Sequence, residues 1–397
     1  MNIVFFAHPS FLGQQSMSRY VRWLAEGMRQ RGHTVEVWSP SPTFFNLSLN
    51  VGLKKWLGYI DQYIMFPMEV KRRRNKIPKN TLFVFTDHAL GPWIRLIGDQ
   101  ASIIHCHDFL AQFSALGKYT ENYTGFTGRK YQKFIRRGYT QGRNYISVSK
   151  KTKEDLHKFL HFQPKISVVV YNGLNSAFQP GDLEQARVIL EDKTGIDLSK
   201  GYILHIGGNQ WYKNRVGLIE IYNAWRLISK SSIPLLMIGQ SPSPKLRAAC
   251  IHSSYKADIH LLSNINDDIL QLSYIGASVF LFPSIAEGFG WPIAEAMASG
   301  CPVITTNEAP MTEVAGDAAF FIAKRPAEIS KVPNWATEAA KVVSEVLGLS
   351  INQRAKIIQA GIENAERFNT KKTLDEIEKI YSNVLEEELK QQTKEVL

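Results

Sequence analysis

The chain has 397 residues, of which 44% are hydrophobic and 21% are charged. This length exceeds the usual size of one hydrophobic core, so two domains are expected. The composition is typical of a soluble globular protein, and no apolar run reaches the roughly eighteen residues of a membrane-spanning helix. The chain enters an apolar segment directly, without the basic and apolar regions of a signal peptide. Together these features predict a cytoplasmic protein.

Positive charge is concentrated in the first half of the chain. Residues 1–175 contain 25 Lys and Arg against 10 Asp and Glu, whereas the remainder contains 22 against 26, which accounts for the net charge of +11. Such an asymmetry predicts an anionic partner for the first half, either nucleic acid or a membrane surface. Since no recognised nucleic-acid-binding motif occurs, a nucleic-acid partner is not expected.

The residues that commonly bind metals are arranged without a metal-site pattern. The three cysteines, Cys106, Cys250 and Cys301, are odd in number and unevenly spaced. They fit neither a disulfide framework nor a zinc site, and they predict buried thiols in a reducing compartment. The pair Asp267-Asp268 is explained as the cap of the helix that follows it. No metal is therefore expected.

Each half of the chain opens with the pattern of a parallel α/β unit. Residues 2–7 form an apolar strand, a helix with an apolar face follows, and residues 34–38 form the next strand. The pattern restarts with a strand at residues 202–206 and the pair Gly207-Gly208, which allows a ligand to approach the backbone closely. No GxGxxG fingerprint occurs, so these glycines are not a dinucleotide-binding motif. The expected fold class is α/β, with doubly wound parallel sheets.

Residues 44–80 combine aromatic and apolar side chains with a basic cluster at residues 71–76. An amphipathic aromatic stretch beside such a cluster is typical of a helix that lies in a membrane interface. A core helix with a solvated basic end explains the same pattern. The sequence leaves both interpretations open.

The clearest functional pattern lies in residues 279–305. A strand over residues 279–282 is followed by the loop 287–290, with the sequence EGFG, and then by a helix whose first turn suits Pro292. In an open parallel sheet, ligands bind at the carboxyl ends of strands. The amino end of a helix also favours a phosphate, because its amides and its dipole point there.

Two glutamates frame this loop and helix. Glu287 in the loop can accept hydrogen bonds from sugar hydroxyls, and Glu295, expected on the first helical turn, can accept them from a ribose. The alternatives are that Glu287 is a solvated loop charge and that Glu295 merely offsets the helix dipole.

The string EGFGWPIAEAMASGCPV, with its Glu-x7-Glu spacing, resembles the donor-site signature of the family-4 retaining glycosyltransferases of the GT-B fold. The resemblance continues through residues 267–284 and 313–322, and it includes RGHTV near the start of the chain. It covers most of the chain and is most specific from Tyr202 to Ile322. It implies a retaining transfer of a sugar from a nucleotide-diphosphate sugar to a glycan, lipid-linked or small-molecule acceptor, with no metal and no cofactor.

The resemblance also implies a domain organisation. Two Rossmann-like domains are expected to face each other across a cleft. Residues 1–174 form the acceptor-side domain and residues 175–372 form the nucleotide-sugar-binding domain. A last helix, from about residue 373 to residue 397, is expected to pack back on the first domain.

The resemblance assigns roles to particular residues. The catalytic residues are expected to be Glu287, Lys213 and His107. Gly208 stands where the family commonly has an arginine, so either Arg215 replaces it or Lys213 acts with backbone amides alone. The residues expected to bind the donor are Gly207, Gly208, Asn209, Arg215, Ile265, Gly288, Phe289, Gly290, Glu295 and Gly13.

Two other functions are compatible with the sequence. The chain could be another GT-B sugar-nucleotide enzyme, such as an epimerase, or a non-catalytic binding protein that keeps the fold. Intact Glu287, Glu295 and Lys213 argue against lost catalysis. Many relatives glycosylate lipid-linked acceptors, so the resemblance favours contact of the basic half with an anionic membrane. The protein would then be peripheral on the cytoplasmic face.

Overall fold

The computed structural model describes residues 1–13, 15–48 and 50–396. The chain divides into two compact units. The first comprises Met1–Lys118, Tyr123–Tyr171 and Lys371–Leu397, and the second comprises Tyr119–Asn122 and Asn172–Thr370. The boundary expected from the sequence, after residue 174, falls just inside the second unit.

The first unit contains a six-stranded parallel sheet with the strand order β2-β1-β3-β4-β5-β6. Its strands are β1 (Asn2–Phe6), β2 (Thr34–Trp38), β3 (Thr81–Phe85), β4 (Ser102–Cys106), β5 (Asn144–Ser147) and β6 (Ile166–Val169). All five residues of β3 are buried. Strands of a parallel sheet that are covered on both faces are continuously apolar, as the sequence predicted for residues 2–7.

Helices cover the sheet of the first unit. They are α1 (Gln15–Gln30), α2 (Val51–Ile60), α3 (Phe66–Arg74), α4 (Leu110–Ala115), α5 (Phe126–Tyr139) and α6 (Lys150–His157). A π-helical segment, Asp61–Met65, joins α2 to α3. Asp61 is buried there and accepts hydrogen bonds from the backbone N–H groups of Phe44 and Phe45, at 2.9 and 2.8 Å. These bonds satisfy the buried carboxylate, as its burial requires.

Within the stretch 44–80, the helical segment from α2 to α3 has one buried face and one exposed face. Phe66 and Val70 are buried in the core of the first unit, whereas Trp56, Ile64 and Met68 are exposed by 63%, 55% and 63%. The buried face agrees with the core interpretation, and contact of the exposed face with a membrane stays a prediction.

The second unit contains another six-stranded parallel sheet, with the order β12-β11-β10-β7-β8-β9. Its strands are β7 (Ile203–Ile206), β8 (Leu235–Ile238), β9 (Ile259–Leu262), β10 (Val279–Phe282), β11 (Val303–Thr306) and β12 (Phe320–Ile322). The predicted α/β class with doubly wound parallel sheets is confirmed in both units.

The helices of the second unit are α7 (Leu183–Thr194), α8 (Arg215–Ile228), α9 (Pro244–His252), α10 (Asp267–Gly276), α11 (Trp291–Ala298), α12 (Met311–Ala315), α13 (Val332–Leu347) and α14 (Ile351–Ala365). The last helix, α15 (Thr370–Val396), begins at the end of this unit and belongs almost entirely to the first. Gly300 has a φ of 75° just past α11, which is the left-handed conformation that a glycine commonly adopts after a helix.

One predicted cap is wrong. The N-cap of α10 is Asn266, whose side chain accepts a hydrogen bond from the Ile269 N–H at 2.9 Å. Asp267 and Asp268 lie in the first turn instead, where carboxylates are stabilised by the helix dipole. Asn and Asp are about equally good N-caps, so the residue type alone could not place the helix start.

The cysteines agree with their prediction as buried thiols. Cys106, Cys250 and Cys301 are buried and free. Burial raises the pKa of each thiol, so all three are poor nucleophiles. Across the described ranges, no helix combines the length and the hydropathy that crossing a membrane requires.

A buried histidine connects three elements of the first unit. The hydroxyl of Tyr20 on α1 lies 2.8 Å from Nδ1 of His105 on β4, and the hydroxyl of Tyr381 on α15 lies 2.7 Å from its Nε2. A neutral imidazole has one donor and one acceptor nitrogen, so both nitrogens are paired. Burial lowers the pKa of His105 to about 3, which keeps the ring neutral. This contact anchors α15 on the sheet of the first unit.

We expect Tyr381→Phe to lower the free energy of unfolding by about 1–3 kcal/mol, because it leaves a buried ring nitrogen unpaired. Urea denaturation measures the change. Tyr139→Phe is the matched control, since Tyr139 is also fully buried but its hydroxyl has no hydrogen-bond partner among the described residues. Equal losses in the two variants would contradict the assigned role of His105.

Candidate active site

A buried ion pair lies at the carboxyl edge of the second sheet. Lys213 follows β7 and Glu287 follows β10, and the Lys213 Nζ lies 2.7 Å from the Glu287 Oε1. The side chains are only 14% and 7% exposed. Strands β7 and β10 are neighbours at the point where the strand order reverses, and ligands of open α/β sheets bind at this point. The alternative that Glu287 is a solvated loop charge is therefore wrong.

Aromatic rings complete the surroundings of the lysine. The Lys213 Nζ lies 5.0 Å from the ring centroid of Phe282 and 5.6 Å from that of Tyr212. Both distances are within the range of cation–π attraction. The Tyr212 carbonyl also accepts a hydrogen bond from the Ile285 N–H at 2.7 Å, which ties the loop of Lys213 to the loop of Glu287.

Arg215 joins the loop after β7 to the loop after β8. It is 6% exposed, and its guanidinium donates to the Asn209 Oδ1 at 2.9 Å and to the Gln240 carbonyl at 3.1 Å. The Asn209 side chain in turn donates to the Ser241 carbonyl at 2.6 Å. Burial lowers the pKa of Arg215. The structure thus places Arg215 and Asn209 in a network that positions the loop containing Gly207 and Gly208, called the glycine loop below.

The glycine loop lies against the lysine. A Cβ on Gly207 would lie 3.6 Å from Cδ of Lys213, and a Cβ on Gly208 would lie 2.4 Å from Oε1 of Gln210. The loop after β8 is closer still, because a Cβ on Gly239 would lie 2.0 Å from the Gly207 carbonyl oxygen. Only glycine fits at residue 239. Gly239 was not predicted from the sequence, although a glycine directly after a strand is a usable signal.

The amino end of α11 lies directly after the loop 287–290. Gly290 precedes the helix with a φ of 103°, and none of the side chains that the structure describes caps it. Pro292 lies in the first turn as predicted. The side chain of Phe289 is buried, with its ring 5.3 Å from that of Phe368. Gly288 completes this loop.

Glu295 lies deeper than expected. It is the fifth residue of α11, in the second turn rather than the first, and it is 7% exposed. Its Oε2 accepts a hydrogen bond from the hydroxyl of Tyr274 at 2.8 Å. A buried carboxylate requires such partners. The other predicted donor residue of this region, Ile265, is half-buried between β9 and α10.

Two predicted site residues belong to the first unit. His107 follows β4, and its Nε2–H donates to the Thr86 carbonyl at 2.9 Å. Burial lowers the pKa of His107, which favours the neutral ring with Nδ1 as its acceptor nitrogen. Gly13 is exposed, with a φ of 66°, after the short turn Ser10–Leu12.

A carboxylate with two histidines beside it was missed by the sequence analysis. Asp87 follows β3; its Oδ2 lies 2.8 Å from Nε2 of His8, and its Oδ1 lies 2.8 Å from Nδ1 of His88. The second contact lacks hydrogen-bond geometry. Burial acts to raise the pKa of the Asp87 carboxyl, but His88 and His8 hold it well below its usual range. The available signal was position, since His8 and Asp87 directly follow strands that are neighbours in the sheet.

The described residues contain no group of three or more His, Cys, Asp or Glu arranged to hold a metal ion. The absence of a metal requirement stays a prediction, because this observation concerns side-chain placement alone.

Comparisons with known proteins agree with this architecture. The model of glycosyltransferase family 4 matches residues 17–178, and the model described as glycosyl transferases group 1 matches residues 200–335. The chain therefore belongs to the glycosyltransferases of the GT-B fold, with one of these two domains in each half.

Individual relatives and solved structures are similar to different extents. The O-antigen chain mannosyltransferase B of Escherichia coli is 34% identical over 121 residues, which is 30% of this chain and 32% of that protein. The match thus spans about a third of that relative. Sucrose-phosphate synthase from Thermosynechococcus elongatus has a TM-score of 0.74 at 16% identity, over 97% of this chain and 99% of that chain. Anabaena HepE in complex with UDP and glucose has a TM-score of 0.69 at 16% identity, over 96% and 99%.

Proposed function

We propose that this protein is a retaining glycosyltransferase that moves a sugar from a nucleotide-diphosphate sugar to a hydroxyl group of a glycan, lipid-linked or small-molecule acceptor. The observation that carries the proposal is the buried Lys213–Glu287 pair at the strand-order reversal of the second sheet. The pair Gly207-Gly208 lies in the loop that holds Lys213, and the amino end of α11 directly follows the loop that holds Glu287. A diphosphate and a sugar need this combination of charges.

Each group has a role in the transfer. The leaving diphosphate gains negative charge as its bond to the sugar breaks. Lys213, the backbone of Gly207 and Gly208 and the amino end of α11 stabilise that charge. Positive charge develops on the sugar at the same time, and the Glu287 carboxylate stabilises it and accepts hydrogen bonds from sugar hydroxyls. Glu295 accepts hydrogen bonds from the ribose.

The proposed chemistry is a front-face transfer. The bond between the anomeric carbon and the phosphate oxygen breaks, and the bond to the acceptor oxygen forms on the same face of the sugar. The acceptor proton passes to the leaving phosphate, so no protein nucleophile is required. Glu287, the carboxylate beside Lys213, is already paired with a cation, which suits charge stabilisation better than nucleophilic attack.

The relatives suggest which donors to test first. One relative is named a mannosyltransferase, and HepE was solved with UDP and glucose. GDP-mannose, UDP-glucose and UDP-N-acetylglucosamine should therefore be compared by thermal denaturation. A donor at 100 times its Kd adds about 2.7 kcal/mol of stability. Sugar incorporation into octyl glycosides then tests transfer, and a product whose sugar stays linked to the nucleotide would favour an epimerase.

We expect the three charged residues to differ in kinetic effect. Glu287→Gln should lower kcat more than it raises KM, because its charge acts at the transition state. Glu295→Gln should first raise KM for the donor. Lys213→Ala should be the most damaging, because losing one partner of a buried charge pair costs about 2–5 kcal/mol, or roughly 30- to several-thousand-fold in rate. Steady-state kinetics with the best donor measures these effects.

Folding must be checked in the same variants. Lys213→Ala leaves Glu287 unpaired at 7% exposure, so thermal denaturation has to show that the protein is still folded at the assay temperature. Lys213→Arg should restore activity only in part, since the geometries of the two cations differ. If Lys213→Ala retains more than about a tenth of the wild-type kcat/KM, a loss below about 1.4 kcal/mol, the site assignment is wrong.

We further expect transfer without a divalent metal, because Lys213 and the amino end of α11 neutralise the diphosphate. Asp267 and Asp268 have a structural role in the first turn of α10. Activity should persist in excess EDTA. Complete loss of turnover that magnesium or manganese restores would overturn this expectation.

An anionic membrane is the proposed second partner, contacted through α2, the π-helical segment and α3. The exposed side chains of Trp56, Ile64 and Met68 follow one another along this helix, and exposed Arg72 comes one turn after Met68. An apolar face that ends in cations suits the interface of an anionic bilayer. This surface would bring the enzyme to lipid-linked acceptors.

Replacing Trp56 with Ser and Arg72 with Gln should release the protein from vesicles that contain phosphatidylglycerol. A basic residue near such a surface contributes about 1 kcal/mol. Cosedimentation with anionic and with neutral vesicles measures the loss. Leu227→Ser is the control, because Leu227 on α8 of the second unit is 78% exposed. Unchanged binding by the double variant would reject this surface.

A further inference from the structure

The contact between His8 and Asp87 lies at a distinctive place in the first sheet. His8 comes shortly after β1 and Asp87 shortly after β3, and these strands are neighbours where the strand order reverses. Ligands of open α/β sheets bind at the carboxyl ends of strands at this point. Neither residue belongs to the nucleotide-sugar site of the second unit.

The contact determines which nitrogen of His8 can bind a ligand. The Nε2 lies 2.8 Å from the Asp87 Oδ2. Asp87 also accepts a hydrogen bond from the Ala89 N–H at 3.1 Å, and these bonds favour its ionised form. An ionised carboxylate only accepts hydrogen bonds, so Nε2 carries a hydrogen, and Nδ1 is the nitrogen that can accept a hydrogen bond in a neutral ring.

His8 also borders space in which a ligand can bind. The Nδ1 has no hydrogen-bond partner among the residues that the structure describes, and the His8 side chain is 9% exposed. His8 lines a cavity of about 260 Å³, together with Ser18 and Arg22 of α1 and Val37 of β2. The ring therefore has an anchoring carboxylate on the β3 side and a cavity on the β2 side.

We propose that His8 is a substrate-contacting residue whose Nδ1 accepts a hydrogen bond from a hydroxyl group of the sugar acceptor, with Asp87 positioning the ring. This inference rests on the proposed glycosyl transfer and names the acceptor subsite in the first unit. Asp87 is a positioning residue, since it acts through His8. No proton is transferred to the ring, because the leaving phosphate takes the acceptor proton.

Two substitutions of His8 distinguish contact with the acceptor from a purely structural role of this residue. Gln places its amide near the position of Nε2, so His8→Gln keeps a donor to Asp87 and loses the acceptor at Nδ1. Asn places its amide near Nδ1, so His8→Asn keeps an acceptor there and removes the donor that His8 provides to the buried Asp87. The two variants thus separate the stability contribution of His8 from its contact with the acceptor.

The structure provides a matched control. The Nε2 of His33 lies 2.8 Å from the Glu378 Oε1, the same distance as in the His8–Asp87 contact. His33 precedes β2, at the opposite end of the strands, and its Nδ1 lies 3.1 Å from the amino group of Met1. His33→Gln therefore changes a similar histidine–carboxylate contact away from the carboxyl edge.

The experiment compares the variants in three measurements on the full chain. Thermal denaturation should give wild type and His8→Gln similar midpoints, with His8→Asn lower. The kcat/KM for octyl α-D-mannoside or octyl β-D-glucoside, whichever the wild type uses faster, should fall several-fold to about tenfold in His8→Gln. It should fall less in His8→Asn and stay unchanged in His33→Gln. The Kd for the donor, from calorimetry, should stay within about twofold in all variants.

Two results would overturn the inference. One is a kcat/KM order that follows the stability order, with His8→Gln as active as wild type. The other is an equal loss in His33→Gln, which would show that the effect is not specific to the carboxyl edge. A wild-type protein that binds no nucleotide sugar and transfers no sugar contradicts the proposed function instead, so the two failures are distinguishable.

Discussion

The buried ion pair between Lys213 and Glu287 requires the loops of the second unit to hold both charges in good geometry. Removing two charges from water costs several kcal/mol per ion, and their attraction compensates only when the geometry is good. The surrounding loops meet this demand. The Tyr212 carbonyl bonds to the Ile285 N–H, Arg215 ties two loops together, and Gly239 allows the backbone to approach Gly207. The groups proposed for the donor are thus held by contacts that do not involve the donor.

The first unit holds its histidines in place with hydrogen-bond partners of different kinds. His105 is fully buried and paired through both nitrogens with tyrosine hydroxyls, which makes it structural. His107, two residues later, donates through one nitrogen to a backbone carbonyl. His8 is held by an ionised aspartate. Three histidines near the carboxyl edge therefore differ in role because their hydrogen-bond partners differ, and residue type alone does not distinguish them.

The two units also differ in how their charged side chains are distributed. The net positive charge lies in the first half of the chain, where α2 and α3 expose apolar side chains beside cations. The second unit holds the groups proposed to bind the nucleotide sugar, and two of them, Lys213 and Glu287, are paired with each other. This division fits the proposal that a basic surface of the first unit contacts the membrane of a lipid-linked acceptor, while the second unit binds the donor.

The sequence by itself determined the local features of this protein. Continuous apolar strands, the glycines and prolines that begin and end α11, and the EGFG loop are all encoded in residues close to one another, because backbone geometry restricts them locally. Tertiary structure decided the pairings. Lys213 meets Glu287 across 74 positions, and His8 meets Asp87 across 79, because parallel strands bring the loops at their carboxyl ends to one edge. The depth of Glu295 and the burial of Arg215 also depend on neighbouring helices and loops, which no local pattern specifies.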